Sequence, residues 1–251
     1  MDAQEYDRWY ETPRGRWIGR CEVDLLLAAL MPRPGESLLD VGCGTGFFTR
    51  ALANRIGGRV VGVDINPEWL EYARRTVANR SSYAVADARS LPFKDASFDL
   101  VVSLTALCFI PQELAAVREM VRVARRRIAI GLLNRRSLLL LEKGIEGGHG
   151  GYRGARWHTV AEAKALFRGL PVQHLRERTA IQVPSGGRFA RFLEGIWPSS
   201  FPTGGFILVC GDTGPAAPGC PRSGTSRRRG GRRRQVIFGQ PLTISFCLQA
   251  E

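Results

Sequence analysis

The stretch LLDVGCGTGFF (residues 38–48) constrains this chain most, because an apolar run ends there in glycines at alternate positions, Gly42, Gly44 and Gly46. A strand that ends in such a turn and opens a helix lets backbone N–H groups approach a ligand closely, since glycine has no Cβ in the way. The spacing is G-x-G-x-G, not the G-x-G-x-x-G/A of a dinucleotide site. Asp40, inside the strand, would repel a pyrophosphate but could organise a turn that accepts a cationic amino-acid moiety. Phosphate binding is disfavoured, and the following blocks decide the ligand.

From about residue 22 to residue 210, apolar runs of strand length alternate with amphipathic stretches of helix length, which implies a mainly parallel sheet with helices on both faces. The expected strands are 37–41, 59–63, 83–86, 98–104, 127–133, 174–183 and 206–210. Helices are expected after the glycines, from Pro67 to Asn79, from Pro111 with Leu114, Val117 and Val121 on its packing face, and at 158–168 and about 188–196. The chain divides into an N-terminal lid (1–34), a main domain (35–210) and an Arg/Gly/Pro-rich tail (211–251) expected to be disordered. The closing VIFGQPLTISF is apolar again, and is read either as an edge strand or as the product of a shifted reading frame.

With 44% hydrophobic residues, a sizeable core is available. No run of about 18 apolar residues exists, and the acidic, aromatic N-terminus does not read as a signal peptide. Six scattered cysteines without C-x-x-C pairs, and few histidines, indicate neither a disulfide framework nor a metal site, so a cytoplasmic location is expected. The formal charge of +13 is uneven: residues 213–251 hold seven arginines and one acid, +6, which leaves +7 for the rest. The Arg tract reads as a solvated basic tail, and nucleic acid as a partner is not favoured.

Two further carboxylates end later strands. Asp64, followed by Ile65, closes RVVGV and would sit beside the glycine turn, placed to accept two ribose hydroxyls. Asp87, with the Ala88 N–H, could meet an adenine edge. Ser103 and Leu104 end the fourth strand on the carboxyl side, beside the expected crevice. Cys43 in the turn reads as a small filler contributing its backbone, Gly46 is evenly balanced between ligand contact and helix packing, and Asp99 reads as a structural acid.

LLDVGCGTGFFTRALA, VVGVDINPEWL, VADARSLPFKDASFDLVVS and PQELAAVREMVRV, in that order and spacing, resemble class I S-adenosylmethionine-dependent methyltransferases, most closely the small-molecule branch with the ubiquinone/menaquinone-biosynthesis type enzymes. The resemblance is strong over about residues 35–135. It implies a Rossmann-like seven-stranded sheet with the last strand antiparallel, S-adenosyl-L-methionine as cofactor, and cofactor roles at Asp40, Gly42, Gly44, Asp64, Asp87 and Ser103.

Methyl transfer from a sulfonium needs alignment more than a dedicated catalytic group. The end of strand four, SLTALCFI, lacks the N/D-P-P-Y/F motif of enzymes that methylate a flipped base, and Cys108 lacks the context of a C5 nucleophile. Two segments are left to shape the acceptor site. In YDRWYETPRGRWIG (6–19), Tyr10 or Arg16 could reach the cofactor carboxylate. In GGHGGYRGARWHT (147–159), Tyr152, Arg153, Arg156 and Trp157 offer substrate contacts, and His158 is a weak candidate base beside a helix cap at Thr159. The arginines would suit an anionic substrate. The reading is a methyltransferase acting on a small molecule; the alternatives are an RNA or protein methyltransferase, or a non-catalytic cofactor-binding module.

Overall fold

The computed structural model describes residues 2–76, 81–148 and 150–213. The expectations for the tail beyond residue 213, and for the last residues of the helix running to Asn79, lie outside the described residues.

Among the described residues, seven strands form one sheet: β1 (Leu38–Val41), β2 (Val60–Asp64), β3 (Ser81–Val85), β4 (Phe98–Leu104), β5 (Ala124–Leu133), β6 (Gln173–Ala180) and β7 (Phe206–Asp212). The order is β3-β2-β1-β4-β5-β7-β6. β3, β2, β1, β4 and β5 pair in parallel, and β7 runs antiparallel to both of its neighbours. The expected mostly parallel, Rossmann-like sheet with its last strand reversed is the observed one.

Alternate residues of the central strands enter two cores because both faces are covered. Leu39, Val41, Val61, Val63, Ile128 and Ile130 join one core with α5 (Glu113–Val123). Leu38, Val60, Leu100 and Val102 join the other with α2 (Pro13–Leu30) and α3 (Phe47–Ala53). Asp99 is structural: its carboxylate accepts from the Ser37 N–H and hydroxyl, tying the start of β4 to that of β1.

Helix ends follow local chemistry. Thr12 caps α2 through the Gly15 N–H with Pro13 in the first turn, and Asn66 caps α4 (Pro67–Arg75) in the same way. α5 starts at Glu113, two residues after Pro111. Its packing face differs from the expected one: Val117 and Val121 are buried, but Leu114 is exposed while Ala116 and Met120 fill the core. Leu114 lies in the first turn, before the helix has swung fully over the sheet.

The N-terminal segment is two helices, α1 (Ala3–Trp9) and α2. Asp7 fastens α1 to the domain, accepting from the Arg50 guanidinium at 2.8 Å and from the Thr45 hydroxyl at 2.9 Å. The remaining helices, α6 (Leu138–Lys143), α7 (Val160–Ala165) and α8 (Arg188–Ile196), lie along the second half of the chain. Among the described residues, no helix is long and apolar enough to cross a membrane.

Candidate active site

The carboxyl ends of β1, β2 and β4 open into a cavity of about 780 Å³. This is where the strand order reverses and where open α/β sheets take ligands. Its floor is the glycine turn. Gly42 has φ +75°, and a Cβ there would fall 2.2 Å from the Cβ of Ala106. The β1 and β4 ends could not approach so closely with any other residue.

Asp64 organises the turn. Its carboxylate accepts the Gly44 N–H at 2.8 Å and the Asn66 N–H at 2.9 Å, so one side chain fixes both the glycine turn and the entry to α4. Half-exposed at the cavity wall, it keeps acceptor capacity on both oxygens. Asp87 faces it from the end of β3 and binds the Arg89 guanidinium and N–H, contacts that hold its pKa below the ordinary range. Gly42, Cys43, Gly44, Asp64, Ile65, Asp87, Ala88 and Leu104 of the expected set line the cavity, as does Arg153. Burial pushes the Cys43 thiol well up, so it contributes backbone and bulk rather than a thiolate.

Other expected positions lie elsewhere, each for a local reason. Asp40 sits under the turn, 1% exposed, where its carboxylate accepts from Thr49 at 2.7 Å and burial raises its pKa to about 7. Gly46, at φ +77°, starts α3, and a Cβ there would strike the Tyr83 hydroxyl, so its need is packing. Ser103 points into the sheet with its hydroxyl buried and without a hydrogen-bond partner, one residue short of the cavity edge. Tyr10 stacks on Phe47 with ring centroids 3.7 Å apart, and the α1 residue that reaches the cavity is Tyr6. Arg16 is exposed and donates to the Glu11 carbonyl.

The 147–159 loop reaches the cavity through Gly150, Gly151 and Arg153. Arg156 is held by Glu113, and Trp157 is buried and stacked on Tyr152. His158 is 2% exposed, with Nε2 2.9 Å from the Glu113 carboxylate, and does not line the cavity. Its backbone links the loop to β5 while Thr159 caps α7 in a capping box with Glu162. Cys108 is likewise core, its Sγ accepting the Leu133 N–H.

Residues not anticipated complete the walls. Trp69, Thr105, Ala106, Phe109 and Ile110 line the main cavity. A second, smaller cavity of about 100 Å³ adjoins it and shares Tyr6, Thr105, Phe109 and Gly151. Glu22 of α2 lies at this smaller cavity, 6% exposed, and burial lifts its carboxyl to about 8. The sequence carried a signal: Ile18, Glu22, Leu26 and Leu30 step at helical intervals, which puts an acid in the buried stripe.

A cavity of this size over a glycine turn, flanked by a carboxylate at the end of the second strand of the sheet, is the arrangement to set beside known proteins. Residues 39–127 match the family model described as a methyltransferase domain. The chain is 32% identical over 192 residues to an uncharacterised protein of Mycobacterium tuberculosis, covering 74% of this chain and 63% of that one. It thus spans less than two thirds of that relative's length. It is also 36% identical over 94 residues to the chloroplastic tocopherol O-methyltransferase of Arabidopsis thaliana, covering 36% of this chain and 27% of the relative. A solved structure from Thermotoga maritima, described as an S-adenosylmethionine-dependent methyltransferase and possible histamine N-methyltransferase, shares the fold. It superposes with a TM-score of 0.63 at 23% identity, over 84% of this chain and 95% of that one.

Proposed function

We propose that this protein transfers a methyl group from S-adenosyl-L-methionine to a small-molecule acceptor. The observation that carries the reading is Asp64, held by the Gly44 and Asn66 N–H groups at the rim of a cavity floored by a turn that tolerates no Cβ at Gly42. A carboxylate fixed in this way is preorganised to accept a pair of vicinal hydroxyls, and the bare glycine backbone leaves room for a ligand's polar atoms.

Asp64 would hold the ribose, the Ala88 N–H and Asp87 the adenine edge, and the glycine turn the amino-acid end. Asp40 supports the turn from beneath. When bound, the sulfonium supplies an already activated methyl group. The chain's part is to align the acceptor with it and exclude water. Tyr6, Phe109, Gly150, Gly151 and Arg153, which line the cavity from α1, the turn after β4 and the 147–159 loop, are the residues assigned to this. A mostly aromatic and apolar acceptor wall favours a small molecule over an RNA or a protein, as does the acceptor in the tocopherol enzyme's name. The smaller cavity branching from that wall has a volume suited to a substituent of a few atoms.

The test incubates the protein with methyl-labelled S-adenosylmethionine and fractionated cell metabolites. Label in a small-molecule fraction supports the reading, and label confined to RNA or protein overturns the acceptor class. Cofactor binding with no labelled product in any fraction would mark a binding module.

A further inference from the structure

The smaller cavity joins the main one along Tyr6, Thr105, Phe109 and Gly151, so a molecule lying in the acceptor region can send an arm into it. Its volume, about 100 Å³ against about 780 Å³ for the main cavity, suits a short arm rather than a second ring system. The rings of Tyr6, Trp9, Tyr10 and Tyr152 line it, and among the described residues no Lys, Arg or His does. Among the described residues that line it, the one acidic or basic side chain is that of Glu22.

Glu22 is 6% exposed and, among the described residues, takes part in no ion pair and receives no hydrogen bond; burial raises its carboxyl. Arg14, two turns before Glu22 on α2, donates through Nη1 and Nη2 to the two carboxylate oxygens of Glu142. A buried carboxyl without a donor costs stability, and such groups concentrate where a ligand completes them. The walls are set at a cost as well. Thr105 and Ile181, both β-branched and both lining the cavity, hold φ values of +57° and +67°.

We infer that this cavity is a recognition subsite for a small ammonium group on the methyl acceptor, with Glu22 as its counter-ion and the surrounding aromatic rings as its walls. An ammonium supplies the missing donor and the missing charge, and the ring faces attract it further. A carboxylate or phosphate arm would instead meet a carboxyl with no cation beside it. The arginine-rich segments flanking the site therefore do not make the acceptor anionic. The identification of the ligand as the acceptor rests on the methyl-transfer reading; the binding of an ammonium here does not.

The experiment uses three probes with one ring and different arms: phenethylamine, 2-phenylethanol and phenylacetate. Binding to the full chain is measured by calorimetry, alongside S-adenosylhomocysteine. Phenethylamine is expected to bind about 10- to 100-fold more tightly than the alcohol, as fits one charge-assisted contact, and phenylacetate most weakly. Glu22→Gln, which preserves the shape, should bring the amine and the alcohol within about threefold of each other and leave S-adenosylhomocysteine binding intact.

A second readout needs no variant. The other titratable groups facing Glu22 are the hydroxyls of Tyr6 and Tyr10 on the α1 side, that of Tyr152 from the loop, and the neighbouring Cys21 thiol; burial pushes all four up, so they stay protonated. At pH 7, amine binding should accordingly release close to one proton, seen as a difference in heat between phosphate and Tris buffers. Equal affinity for amine and alcohol, or an amine preference that survives Glu22→Gln, overturns the subsite. A wild-type chain that binds no S-adenosylhomocysteine yet prefers the amine through Glu22 would refute the transfer reading and leave the subsite standing.

Discussion

Glu22 allows a test of the site's electrostatics without any ligand. Its carboxyl moves from an ordinary 4.5 to about 8 because folding removes it from water. Below pH 4.5 both the folded and unfolded states hold the proton, and full stability is present. Between those values the unfolded chain ionises while the folded one does not, so stability falls as pH rises toward 8. The complete loss, with 1.36 kcal/mol for each pH unit, is about 5 kcal/mol, most of which accrues between pH 5 and pH 8. Glutamine cannot ionise. Glu22→Gln should therefore lie within about 1 kcal/mol of the wild type at pH 5 and exceed it by about 3–4 kcal/mol at pH 8. Asp40, raised to about 7 by its own burial, contributes a slope of the same sign, but it is present in both proteins and cancels. Urea unfolding followed by tryptophan fluorescence across this range measures the difference. A variant-minus-wild-type difference that stays flat from pH 5 to pH 8 would refute the desolvated, unpartnered carboxyl.

Three other substitutions probe the donor site and the loop. Asp64→Asn removes the charge from the bonds to the Gly44 and Asn66 N–H groups and to the ligand. Binding of S-adenosylhomocysteine should weaken roughly 10- to 100-fold by calorimetry. Gly42→Ala places a Cβ 2.2 Å from that of Ala106 at φ +75°, and should cost about 1–3 kcal/mol in urea unfolding together with a large loss of cofactor affinity. His158→Ala removes the partner of Glu113 from a buried position and should cost about 1–3 kcal/mol of stability. Its single-turnover transfer rate, measured well below the melting point, should stay within about threefold of the wild type. A fall of about a hundredfold would return His158 to the reaction as a base.

The sheet and the glycine-turn side of the cavity were legible in the sequence because they depend on short-range chemistry. Glycines at alternate positions force the turn, and an acid directly after an apolar strand must emerge at its carboxyl end. Asp64, Ile65, Asp87 and Ala88 reach the cavity for that reason. Exits from strands were less legible. Ser103 stays inside the sheet, and Thr105, at φ +57°, redirects the chain so that Leu104, Thr105 and Ala106 form the edge. No local pattern marks a threonine for a left-handed backbone. The choice between Tyr6 and Tyr10 was also hidden, since it depends on how Asp7 ties α1 to Arg50 and Thr45, contacts about forty residues apart in the chain. Leu114 was misplaced because helical spacing identifies a stripe but not the turn at which the helix meets the sheet. Glu22 had a signal in its apolar stripe, yet only the fold shows that Tyr6, Tyr10 and Tyr152 converge on it from other segments.

If the cavity over Gly42, Gly44 and Asp64 is a methyl-donor site, calorimetric titration of the full chain with S-adenosylhomocysteine, with Asp64→Asn titrated in parallel, decides it. Saturable binding of one ligand per chain is expected, weakened at least tenfold by the substitution. Absence of binding by a folded wild-type protein, or equal affinity in the two proteins, would contradict it.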